Sequence, residues 1–173
     1  MDIIIIGRGG FSYVVEEEMN QLNDYNVIGY MDSSFKNSSI IDEKYHLSMF
    51  DTLTAPSDVH YFIAIGSNSI RKKIIDELNI NNERFISIVS THAIVSPTVK
   101  LGCGSYIGAG VIVNANTTIG NHTIINTNAT IEHDCNIGDF CLINTSSTLY
   151  SQTKIENDSV VKVGSTIVLK QPE

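Results

Sequence analysis

The sequence predicts two folds in tandem: an α/β domain over residues 1–86, then an all-β stack of short coils over residues 87–173. Two observations carry this division. Before residue 87, buried apolar runs alternate with helical patterns across glycine turns. After it, every sixth residue from Val89 to Ile167 is Val, Leu or Ile, fourteen in succession without a slip. Such aliphatics make up about a quarter of an ordinary chain, so chance does not account for the run.

Asp2 and the four isoleucines after it read as a buried strand. The turn Gly7-Arg8-Gly9-Gly10-Phe11-Ser12 follows, then a helix over residues 13–22. Residues 26–31 read as a second strand ending at Asp32, and the Ser-, Asn- and Asp-rich residues 33–42 as a loop. Residues 61–66 form another buried strand, running into Ser67-Asn68-Ser69 as the N-cap of a helix over residues 70–78. Strands alternating with helices predict a small parallel sheet. The glycine turn stands where a nucleotide fingerprint stands, after a strand and opening a helix. Gly7 and Gly9 fit its first two glycines, while Ser12 occupies the third place. A turn that merely packs helix on sheet is the competing reading. Asp32 favours the nucleotide, since a carboxylate at that strand end reaches ribose or base.

The six-residue period of the second half is neither helical nor a simple strand alternation. It fits two-residue strands joined by turns, each hexad placing one aliphatic on a shared axis and stacking coil upon coil. Two residues before most of these aliphatics stands a small residue, among them Ser105, Thr117, Thr123, Ala129, Cys135, Cys141 and Ser147, which suits a tight corner. Gly or Asn directly follows several of them (Gly108, Asn114, Gly120, Asn126, Gly138), where a positive φ is expected. Cys135 and Cys141 are thereby corner residues, and with Cys103 they show neither disulfide nor metal spacing.

The net charge of −8, with 11 Lys and Arg, leaves no basic stripe for nucleic acid. Backbone amides at a helix N-terminus still offer a local anion site. No run of about 18 apolar residues exists to span a membrane. The N-terminus lacks a basic region and meets Gly7 too early for a signal peptide, so a cytoplasmic location is expected.

The repeat resembles that of the hexapeptide-repeat acyltransferases. The resemblance implies a left-handed parallel β-helix, a homotrimer with sites between subunits, and an acyl-CoA donor. The whole order of segments is similar to the bacterial sugar acyltransferases that N-acetylate nucleotide-linked amino sugars in bacillosamine and perosamine synthesis, and to sialic acid O-acetyltransferases. The segments carrying the resemblance are Phe62-Ile63-Ala64-Ile65-Gly66-Ser67-Asn68 with Ile70-Arg71-Lys72-Lys73, and residues 126–138 around Glu132-His133-Asp134. It makes the first half a Rossmann-like nucleotide-sugar-binding domain, with sugar contacts at Gly7, Gly9, Gly10, Phe11, Ser12, Asp32, Gly66 and Asn68. It makes His133 the general base, Asp134 its orienting acid, and Asn126 a further site residue.

The chemistry of the residues agrees. Acyl transfer needs a base near neutrality, which an imidazole backed by a carboxylate supplies. The oxyanion needs an N–H donor, expected from the next coil near Ser151, which also places Ser151 against acetyl-CoA. His122 is expected to be structural or solvated, and a three-histidine metal site is disfavoured because His122 and His133 are not a multiple of six apart. The pattern departs from the family at Phe11 and Ser12, where a His-Gly pair is usual, and at Leu142 through Ser147. It departs again at Ser151, where glycine is usual, and at the end Gln171-Pro172-Glu173, which implies a shorter closing coil and weaker CoA binding. O-acetylation of a sugar and an inactive trimeric β-helix binding protein remain the alternatives.

Overall fold

The computed structural model describes residues 1–52 and 54–168, so the expected end at Gln171-Pro172-Glu173 lies outside the described residues. The chain forms two compact units, Met1–Ile88 and Val89–Glu173.

In the first unit, β1 (Asp2–Ile6) leads to α1 (Gly10–Leu22), β2 (Asn26–Asp32), β3 (Ser39–Ile41), β4 (Lys44–Ser48), β5 (His60–Ile63) and α2 (Asn68–Leu78). The strand order is β3-β4-β2-β1-β5, parallel except for the antiparallel edge β3. β1 takes a central place because its isoleucines, Ile3 to Ile6, are buried completely on both faces. β4, and β3 within the expected loop, escape sequence patterning for a physical reason. β3 is exposed at every residue, and in β4 only Leu47 is buried. β3 is an edge strand that owes its form to backbone pairing, and β4, between β3 and β2, is mostly half-buried, so neither carries a hydrophobic alternation.

In the second unit, fourteen two-residue strands from Ile88–Val89 to Thr166–Ile167 stack as three parallel sheets. Pairing runs Ile112 to Thr130, Thr130 to Thr148 and Thr148 to Thr166. One coil is therefore three hexads, and residues 18 apart lie in adjacent coils. The periodic aliphatics fill the axis. Ile107, Ile125, Ile131, Ile143 and Leu149 are fully buried, while Val89, Val95, Ile155 and Ile167 near the two ends are only partly so. This is a parallel β-helix.

The small corner residues contribute more than size. Thr123 Oγ1 donates to Gly138 O at 2.8 Å and accepts from Cys141 N at 2.9 Å. Ser105 and Thr117 repeat this pattern at other corners, and Cys141 Sγ donates to Glu156 O at 3.1 Å. The hydroxyls and thiols thus link each coil to the next. Burial pushes the Cys135 thiol up, which suits this role and opposes reactivity.

The expected positive φ after the aliphatic is not found. It falls three residues after each aliphatic from Leu101 to Val161, at Gly104, Gly110, Asn116, His122, Asn128, Asp134, Phe140, Ser146, Gln152, Asp158 and Gly164. Glycine directly after the aliphatic answers a different need. A Cβ on Gly120 would stand 2.6 Å from Gly138 C in the next coil. Coil spacing excludes the side chain there, with no demand on φ.

Ile125→Ala is expected to lower stability by about 2–5 kcal/mol, since the closed axis cannot collapse around the void. Cys141→Ser, which keeps the inter-coil donor, is expected to stay within about 1 kcal/mol of the parent. Urea unfolding of the two variants checks the contrast.

Candidate active site

The strand Thr130–Ile131 ends with Ile131 in the axis, and the chain turns the corner through Glu132-His133-Asp134 before Asn136–Ile137. Two residues past the buried aliphatic, the His133 side chain points outward and is 51% exposed. Asp134 sits in the left-handed region at φ 59°, which brings its carboxylate beside the preceding ring. His133 Nδ1 lies 2.7 Å from Asp134 Oδ2. A carboxylate only accepts, so Nδ1 carries the proton and Nε2 presents a lone pair. The other oxygen, Oδ1, accepts from Asn116 Nδ2 at 3.1 Å. Hydrogen bonds from His133 and then Asn116 hold the Asp134 carboxyl below the usual carboxylate range. It is therefore ionised wherever an ordinary histidine titrates.

Ala115, His133 and Ser151 occupy one column of the β-helix. Asp134 N donates to Ala115 O at 2.9 Å, and Gln152 N to His133 O at 3.0 Å. At Ser151 the neighbouring amides of Tyr150, Gln152 and Thr153 are bonded to Ile167 O, His133 O and Tyr150 O. Among the described residues the Ser151 N–H has no such backbone partner. Asn126 lies one corner earlier, its Oδ1 accepting from Thr127 N at 2.9 Å. Among the described residues no hydrogen bond joins it to His133. His122 is buried, its ring stacked on Phe140 with centroids 5.1 Å apart, as a structural histidine. Among the described residues no group of three or more His, Cys, Asp or Glu is placed to hold a metal ion.

In the first unit the predicted contacts divide into open and engaged groups. β1 and β5 are parallel neighbours whose C-terminal ends lead into α1 and α2. α1 returns the chain to β2 on the far side of β1 from β5. Gly7, at φ 98°, closes the first turn, and a Cβ there would stand 2.6 Å from Ile65 Cγ1. That glycine serves packing. Gly9, Gly10 and Gly66 have ordinary φ and nothing within 4 Å of the place a Cβ would take. Neither backbone strain nor crowding within the unit accounts for these three.

Ser12 is fully buried, and its hydroxyl donates to Gly9 O at 2.7 Å. It fastens the turn from within. Asp32 accepts from Arg8 N and Ser34 N, both at 2.8 Å. Burial pushes its carboxyl up, but the Ser34 and Arg8 hydrogen bonds outweigh this and leave it lowered. Its first task is to tie the glycine turn to the end of β2. Phe11 is half-buried in the first turn of α1. Ser67 is the N-cap residue of α2, as expected, yet its hydroxyl makes no cap bond. Asn68 is instead held by a residue to which sequence reasoning gave no role. Arg71 is fully buried, donating to Ile65 O at 3.0 Å, Gly66 O at 2.8 Å and Asn68 Oδ1 at 2.9 Å. The signal for it was a basic residue one turn into a helix that follows a glycine turn.

Comparison with known proteins places each unit. Residues 2–78 match the PglD N-terminal domain, and residues 98–133 match the bacterial transferase hexapeptide (six repeats). The chain is 31% identical over 111 residues to UDP-N-acetylbacillosamine N-acetyltransferase of Bacillus subtilis (strain 168), covering 62% of this chain and 51% of that one. It thus spans about half the length of that curated relative. The acetyltransferase domain of PglB from Neisseria gonorrhoeae, solved with acetyl coenzyme A, superposes with a TM-score of 0.82 at 26% identity, covering 95% of this chain and 80% of that one. A point mutant of perosamine N-acetyltransferase from Caulobacter crescentus, solved with CoA and GDP-perosamine, gives 0.79 at 26% identity over 97% of this chain and 89% of that one.

Arg71→Met is expected to destabilise the first unit by about 3 kcal/mol, because three acceptors lose a charged donor. Thermal unfolding checks it, and a change under about 0.5 kcal/mol would show that water replaces the guanidinium.

Proposed function

We propose, on the premise that this chain joins a PglD N-terminal domain to transferase hexapeptide repeats, that it moves the acetyl group of acetyl-CoA onto a nucleotide-linked 4-amino-4,6-dideoxy sugar. The observation that carries the reading is the His133–Asp134 pair, joined at 2.7 Å on an exposed corner with Nε2 open. The relatives' ligands, acetyl coenzyme A in one complex and CoA with GDP-perosamine in another, support the donor and the class of acceptor.

The chemistry follows from the pair. As the sugar amine attacks the thioester carbonyl, His133 Nε2 takes the proton the nitrogen sheds. Asp134 receives the Nδ1–H throughout and stabilises the imidazolium. The Ser151 N–H is assigned to the oxyanion of the tetrahedral intermediate. Collapse expels the CoA thiolate, and the proton on Nε2 passes to sulfur, so the imidazole returns to its starting tautomer. In the first unit, the open glycines Gly9, Gly10 and Gly66 let a diphosphate approach the backbone amides. Asp32 and Asn68 flank that approach, with Phe11 beside it. The assembly proposed is a homotrimer, the location cytoplasmic and the product a precursor of cell-surface glycan. Among the described residues no helix is long and apolar enough to cross a membrane.

Thiol release from acetyl-CoA is to be followed against UDP-, dTDP- and GDP-linked 4-amino sugars for the wild type and His133→Ala. The wild type is expected to release thiol with one acceptor, and the variant to fall by at least about a hundredfold with an unchanged circular dichroism spectrum. A variant with full activity would remove His133 as base. Release only with hydroxyl acceptors would establish O-acetylation, and binding of both ligands without release would establish a binding protein.

A further inference from the structure

We infer that Asn116 is a positioning residue for His133, acting through Asp134. The inference rests on the proposed reaction for its catalytic meaning, but its geometry stands apart. His133 is half exposed, and among the described residues Asp134 is the hydrogen-bond partner of its ring. Asp134 is itself 44% exposed, so packing alone does not hold its carboxylate. The second fixed point is Asn116, one coil earlier, whose Nδ2 donates to Oδ1 at 3.1 Å while Oδ2 faces the imidazole. With one oxygen held from each side, the plane of the carboxylate is set.

Asn116 is in turn anchored from the coil before, its N–H donating to Thr98 Oγ1 at 2.8 Å. A chain of bonds thus crosses three coils, Thr98 to Asn116 to Asp134 to His133. The neighbours fit the same purpose. Asn114 Nδ2 donates to Glu132 Oε2 at 3.0 Å, so both acids flanking His133 are held by amides of the coil beneath. Ala115, between the two asparagines, is the residue one coil before His133 in the same column. Outer partners of this kind fix a histidine's tautomer and ring direction, and their loss acts through geometry.

The backbone permits a clean test. Asn116 has φ 61°, and glycine occupies the equivalent left-handed corner place at Gly104 and Gly110, so Asn116→Gly removes the amide without straining the turn. The control is Asn128→Gly, at φ 59°, whose Nδ2 makes the same kind of inter-coil bond to Ser146 Oγ at 3.1 Å, away from His133. Two readouts are taken on the full chain: steady-state kinetics with acetyl-CoA and the accepted sugar, and the ¹⁵N shifts of the His133 ring, assigned with His133→Ala.

For Asn116→Gly, kcat is expected to fall about tenfold with KM for both substrates within about twofold, the scale of one hydrogen bond to a charged group. The ring shifts should move from the Nδ1–H tautomer towards a mixture. Asn116→Asp, which sets carboxylate against carboxylate, should lose more at neutral pH than Asn116→Gly. Asn128→Gly should leave kcat and the ring shifts as in the wild type. Unchanged ring shifts and kcat in Asn116→Gly would overturn the inference, as would an equal effect from Asn128→Gly. If the wild type transfers no acetyl group at all, the proposed reaction falls, and the tautomer measurement still decides the positioning.

Discussion

The constraint on which the second unit depends is the register of the coils. Each aliphatic must point to the axis, and three hexads close one turn, so every residue lies beside those 18 positions away. A slip of one residue in any coil would carry its Val, Leu or Ile out of the axis and a polar residue in. That penalty repeats at each of the fourteen positions, which is why the run tolerates no insertion. The register has a chemical consequence. Corners become columns, and a short corner segment acquires neighbours above and below that are remote in sequence. Ala115, His133 and Ser151 form such a column, with Asn116 and Asp134 in the one beside it. The amide that holds the Asp134 carboxylate, and the place of Ser151 beside His133, are both products of stacking.

Much of this architecture is legible in the sequence. A six-residue aliphatic period has few physical solutions, and the buried axis follows from it. His133 is legible as an outward residue because it stands two past an axial one, and Asp134 as its partner because it is adjacent. Asn116 is not, since the period by itself leaves open how many hexads close a coil; once three hexads are known to make one, the step of 18 leads from Asp134 to Asn116. Glycines that follow an aliphatic suggest a demand on φ, when the close approach of the next coil is the stronger demand at Gly120. In the first unit β3 and β4 escape notice because β3 is an exposed edge strand and β4, inside the sheet, buries only Leu47, so neither carries a pattern. Position in a motif points Ser12 at a ligand, whereas its hydroxyl lies within reach of its own turn and bonds Gly9 O. Arg71 is legible as a charge, but its burial depends on where β5 and α2 meet.

The proposed diphosphate contact in the first unit has to be reconciled with an acidic chain. With a net charge of −8 it has no surplus of cations for a phosphate. Backbone amides supply the alternative, provided that the turns carrying them are rigid and bare. Asp32 fastens one turn from outside through Arg8 N and Ser12 fastens it from within. Arg71 fastens the other through Ile65 O and Gly66 O. The side chains that hold the turns are thus distinct from the glycines that leave them open.

The most direct measurement is the mass and structure of the product formed when the wild-type chain is given acetyl-CoA and a nucleotide-linked 4-amino sugar. The account predicts one acetyl group on the sugar nitrogen and an equal amount of free CoA thiol. Acetate and free thiol with the sugar unmodified, or both substrates recovered unchanged, would contradict it.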